Sequence, residues 1–146
     1  LFQSIKDNYQ DIDFIDENNP VLHQVVEFQE KVLNLFQQYL QHKGISETAA
    51  TAHSENLKTF FNDFLKDQHN SSMFSFDADH LEEFIVDFYP RKVEANPAQD
   101  ELLMTSLKSF ISFAETLGYL ENATPYLKII DECEEEFMEV LEDYRG

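Results

Sequence analysis

Few side chains in this sequence stand at spacings that chemistry demands. His23 and Glu27 are four residues apart, the spacing at which two side chains on one helical face grip a metal ion. The same pair is common on any exposed helix, and the other histidines, His42, His53, His69 and His80, share no spacing with it. Asp11, Asp13 and Asp16 resemble the start of a calcium loop, yet the sixth position lacks glycine and the twelfth, Leu22, lacks the bidentate carboxylate. A nucleophile would have to be Cys133, the single cysteine. Acids at 131, 132, 134, 135 and 136 surround it and oppose the thiolate, which marks the sulfur as inert. There is no glycine-rich phosphate loop, and no pair among the many carboxylates stands out as an acid/base dyad. The sequence therefore predicts no catalytic residue, no metal and no cofactor, and a protein that is not an enzyme.

Charge sets the classes of partner. Twenty-nine acidic residues oppose 10 basic ones, a net charge of −19. One acidic group gathers Asp7, Asp11, Asp13, Asp16 and Glu17, and another fills the stretch from Asp131 to Asp143. Nucleic-acid binders need clustered Lys and Arg to displace phosphate counterions, and this chain has the opposite field. The acids read first as a solvated face that keeps the protein dispersed, and second as an attraction to a basic partner. No apolar run reaches the roughly 20 residues of a membrane span. A lone cysteine suits a reducing compartment, so the expected location is cytoplasmic, without membrane contact. Two glycosylation-type triplets begin at Asn70 and Asn122 and carry no weight without a secretory signal.

With 14 Phe and 6 Tyr but only 3 Gly and 4 Pro, the chain has the apolar mass of one core and too few punctuators for a sheet. The expectation is an all-α fold, a compact bundle of about five helices forming a single domain over residues 1–146. Residues 1–18 read as a short, frayed helical segment. Asn19-Pro20 starts a helix running to about Gln41, with Val25, Val26, Val32, Leu33, Phe36, Tyr39 and Leu40 inward. Gly44 closes it and Ser46 caps the next, from Glu47 to about Lys66, whose apolar face holds Leu57, Phe60, Phe61, Phe64 and Leu65. Met73 to Phe76 alternates as a connector that plugs the core with Phe74 and Phe76. Asp77 or Asp79 caps a third helix that Pro90 ends. Pro97 opens a fourth, with Leu103, Leu107, Phe110, Ile111, Phe113, Ala114 and Leu117 inward, and Gly118 closes it. No internal repeat is evident.

The last helix, residues 125–144, is the most informative. Tyr126, Ile130, Cys133, Phe137, Val140 and Tyr144 recur at intervals of 4, 3, 4, 3 and 4, close to a heptad seam, with a dense acidic face opposite. Such a stripe either packs back on its own bundle or forms a surface for self-association, a possible homodimer, or for a protein partner.

The turn between the first two helices carries a family pattern. Phe36-x-x-Tyr39-Leu40, Gly44-Ile45-Ser46 with Thr48, and Leu57-x-x-Phe60-x-x-x-Phe64-Leu65 resemble the SAM-like core-binding domain of tyrosine recombinases and phage integrases. Leu81-x-x-Phe84-Ile85 and Leu107-x-x-Phe110-x-x-Phe113-Ala114 fit its third and fourth helices, so the resemblance covers about residues 25–120. It implies a SAM-like four-helix core followed by the C-terminal acidic helix. In that family the domain clamps DNA through basic and polar residues. Here Glu47, Glu55 and Asp63 offset Lys58 and Lys66, and the family's catalytic domain is absent from these 146 residues. The leading functional expectation is a protein-protein interaction or assembly module. The alternatives are a divergent recombinase-type DNA-binding domain without its basic face, and an acidic decoy for a basic partner.

Overall fold

The computed structural model describes residues 20–69, 71–73, 75–118 and 120–145, with side chains from residue 23 onward. The frayed segment and calcium-like acids expected in residues 1–18 lie outside the described residues, as does Phe74.

The described chain is all-α, with five helical rods. Helix α1 is Pro20–His42. Helix α2 covers residues 47–69 and joins an α segment Glu47–Lys58, a π-helical stretch Thr59–Lys66 and a last turn Asp67–His69. Helix α3 covers residues 78–92 in the same manner, with π turns at Phe84–Phe88 between Ala78–Glu83 and Tyr89–Lys92. Helices α4 and α5 are Pro97–Thr116 and Thr124–Arg145.

The caps are those the side-chain types specify. Gly44 takes φ 93°, a left-handed turn that costs a residue with a Cβ strain, and the Ile45 N–H returns to the Leu40 carbonyl at 3.0 Å. Ser46 Oγ accepts the Ala49 N–H at 3.1 Å. Of the two candidate caps for α3 the structure uses Asp77, which accepts from the His80 N–H while His80 Nδ1 accepts the Asp77 N–H, a reciprocal capping box. Asn96 caps α4 by accepting the Gln99 N–H at 3.3 Å. Replacing Ser46 by Ala orphans one helix N–H at an exposed start, so Ser46→Ala is expected to lose about 1 kcal/mol. Urea denaturation checks this; an unchanged midpoint would mean that water serves the freed N–H equally well.

Packing is centred on α2, which lies against α1 on one side and α4 on the other, while α5 packs across α3 and α4. Phe36 of α1 meets the Phe110 ring edge-on at 5.4 Å, and Phe61 of α2 meets it at 5.2 Å. The π stretches of α2 and α3 face each other. Phe60 and Phe64 stack along α2 at 6.0 Å, Phe84 and Phe88 stack along α3 at 6.0 Å, and the two pairs interlock, Phe60 on Phe84 at 4.9 Å and Phe64 on Phe88 at 5.1 Å. The segments also match in sequence: Leu57-x-x-Phe60-Phe61-x-Asp63-Phe64-Leu65 and Leu81-x-x-Phe84-Ile85-x-Asp87-Phe88-Tyr89 share the pattern L-x-x-F-φ-x-D-F-φ, φ being a large apolar residue. The ten apolar residues that the pattern specifies are all buried, and Val86, at an x position, is half-buried. This short repeat corrects the expectation of none.

Two further differences have local causes. Helix α3 passes through Pro90 to Lys92 instead of ending there. The ring arrives where the ladder is already displaced, because the Tyr89 N–H bonds five residues back to the Phe84 carbonyl. Leu117 is exposed because α4 has already turned toward Gly118, at φ 81°. The connector buries Met73 and Phe76.

Candidate functional site

The expected seam on α5 turns inward. Ile130, Cys133 and Phe137 are buried, Tyr126 and Val140 are half-buried, and Tyr144 stays 56% exposed. Tyr126 meets Phe76 edge-on at 5.7 Å, and the Phe137 ring lies 5.9 Å from Tyr89 of α3. The middle of the stripe is thus covered by this chain's own helices, and exposure rises from Val140 to Tyr144. Burial first, and then Glu82, Glu136 and Glu132, push the Cys133 thiol up to about 11, which holds it as an unreactive SH.

The neighbouring stripe of α5 does reach solvent. Phe137, Met138 and Leu141, with Met104 of α4, line an open groove of about 800 Å³ between α4 and α5. Met138 is 60% exposed, a large apolar side chain within a helix otherwise crowded with acids. Glu101, Glu134, Glu139 and Glu142 also line the groove. Sequence reading passed over this stripe because its acids matched the solvated face; the signal available was Met138 and Leu141 at i, i+3 among them.

One end of the groove is pinned by a partly buried polar triad. Tyr89 donates its hydroxyl to Asp100 Oδ1 at 2.8 Å, and Arg145 Nε donates to Asp100 Oδ2 at 3.3 Å. The Arg145 guanidinium also lies 5.9 Å over the Tyr89 ring. The Asp100 and Arg145 side chains are 10% and 17% exposed. Burial and the bond to Asp100 drive the Tyr89 phenol far above its ordinary value, so it stays a donor. The last turn of α5 is therefore tied to the first turn of α4 and to α3. Among the described residues lining the groove, the one cation, Arg145, is already engaged.

The second polar cluster is sealed. His53 Nδ1 lies 2.6 Å from Ser106 Oγ, which also accepts from Asn56 Nδ2 at 3.1 Å and donates to the Leu102 carbonyl at 2.9 Å. With the hydroxyl proton committed to Leu102, the imidazole is the donor at Nδ1. Ser106 has no exposed surface, and its lone pairs and proton are all used, so this His–Ser pair is structural. Burial lowers the His53 pKa below 6.5. Below that pH the unfolded chain takes up a proton that the folded chain refuses, so stability falls as pH falls. The expected result is a urea midpoint that drops from about pH 7.5 to about pH 5.5 in the wild type relative to His53→Gln, the difference cancelling the acidic surface's own titration. Parallel midpoints would show that the ring is not held neutral.

His23 and Glu27 are both exposed, and Glu27 lies 3.6 Å from Lys31 rather than sharing a ligand site. His69 Nε2 meets Glu83 Oε2 at 2.7 Å and joins the end of α2 to α3. Among the described residues no group of three or more His, Cys, Asp or Glu side chains is placed to hold a metal ion, and no helix is long and apolar enough to cross a membrane.

The profile of the DUF7108 C-terminal domain matches residues 41–118. The chain belongs to the DUF7108 family. That designation carries no assigned function. The match takes in α2, α3 and α4, the helices that hold the two π stretches, the His53–Ser106 cluster and one wall of the groove. In this DUF7108 member the other wall, α5, follows the matched span. No curated protein and no solved structure matches the chain.

Proposed function

We propose that this protein is a non-catalytic helical module acting by protein contact in the cytoplasm, with the groove between α4 and α5 as its receiving surface. The observation that carries the reading is Met138, exposed beside Met104 and Leu141 in an open apolar groove, whereas the polar cluster that resembles catalytic machinery is sealed. Methionine is unbranched and polarizable, and suits a surface that must fit another chain. A recombinase-type DNA clamp would need a free cationic face. Instead, seven of the nine described Lys and Arg side chains, Lys31, Lys58, Lys66, Arg91, Lys108, Lys128 and Arg145, lie in ion-pair reach of a carboxylate of this chain, and Lys43 lies over the Tyr39 ring, which leaves Lys92 outside these contacts. The test places a photo-crosslinking residue at position 138, and separately at exposed position 31, in living cells. Protein adducts from 138 and not from 31 are expected; no adduct from 138 overturns the reading.

A further inference from the structure

From the apolar floor and acidic walls of the α4–α5 groove, we infer that its occupant is a basic amphipathic helix supplied by a different protein. This inference rests on the protein-contact reading of the same groove.

An extended apolar strip between two helices is the shape that receives the apolar face of a third. Its length fits: Glu134 and Glu142 are eight residues apart on α5, about 12 Å of helix rise. Basic side chains two turns apart on an incoming helix match that span while its apolar residues meet Met104, Met138 and Leu141. Among the described residues four glutamates line the groove, and the one cation there, Arg145, is held by Asp100. The site therefore attracts positive charge and repels negative charge.

Charge also selects against the occupants this chain could supply. Residues 1–19 carry five acids and one lysine, the wrong sign for the acidic walls. A second copy brings another −19, and its α5 would present glutamates to glutamates. A basic segment in trans satisfies both the apolar floor and the charge.

The experiment uses the full chain and a fluorescein-labelled peptide of about 18 residues, built from Leu and Lys at helical spacing and about 27 Å long when helical. A matched peptide with Glu for Lys is the control. Anisotropy is read at low and high salt. The Lys peptide is expected to bind, more weakly as salt rises, and the Glu peptide is not. Glu134→Gln/Glu142→Gln should weaken binding about tenfold, Met138→Ser about fivefold, and the charge-matched Glu27→Gln/Glu30→Gln on α1 less than about twofold. Equal losses from the two double variants would reduce the binding to diffuse attraction and overturn the inference. So would a dimer in light scattering that Met138→Ser dissolves, because the occupant would then be a second copy. Adducts at position 138 in cells without binding of the Lys peptide would retain the contact surface and remove the basic helix as its partner.

Discussion

Phe64→Ala is expected to remove about 3–5 kcal/mol of stability, a third to a half or more of what a domain of this size holds in total. The ring is fully buried and touches both π stretches: Phe60 at 6.0 Å, Phe84 at 5.4 Å and Phe88 at 5.1 Å, with His69 edge-on at 4.7 Å. Truncation leaves a hole that these neighbours cannot fill, because each is held by its own ring contacts and by a helix with no slack. Phe64→Leu retains most of the volume and should lose less than half as much. Urea unfolding by circular dichroism reads both. A loss under about 1.5 kcal/mol for the alanine variant would show that the π stretches relax into the space, and that their geometry follows the rings rather than fixing them.

Asp100→Ala is the second large effect. Its carboxylate is the shared partner of the Tyr89 hydroxyl and the Arg145 guanidinium, so removal leaves one buried donor and one half-desolvated cation unanswered. Breaking a buried pair from one side costs about 3–5 kcal/mol. The Arg145 side chain is 17% exposed, so it regains some water, and about 2 kcal/mol is expected. The sign of a second change separates the causes. Asp100→Ala/Arg145→Met should be more stable than Asp100→Ala alone, because the orphaned charge is gone. Equal stability of the single and double variants would mean that Arg145 had already escaped to solvent and that only the tyrosine bond mattered.

The helices were legible because their ends are written in residues with few alternatives. Gly44 and Gly118 supply left-handed turns, Ser46, Asp77 and Asn96 cap starts, and Pro97 and Pro125 open first turns. The π stretches were not legible, because a helical reading of residues 57–65 selects the same apolar residues whether the turn is wide or narrow. Pro90 looked like a stop for the same reason: only the displaced ladder ahead of it admits the ring. Gln29 was missed as a core residue because its amide is satisfied by Asn62 and the Met73 N–H, partners from remote parts of the chain. On α5 the periodic stripe includes the buried Ile130, Cys133 and Phe137, but which side of a helix faces its own bundle depends on where α3 and α4 lie. The groove belongs to the next stripe round, where two apolar residues among glutamates give a weak periodic signal.

The paired nonapeptides of α2 and α3 have a consequence for how one chain meets another. Each copy of L-x-x-F-φ-x-D-F-φ finds its complement in a segment of the same pattern. A chain that opens between α2 and α3 thus presents two surfaces that recognise each other equally well within one molecule or across two. Proximity favours the internal pairing in dilute solution. At high concentration, when chains refold together, the same contacts are available for exchange, producing an interlocked dimer with no new interface at all.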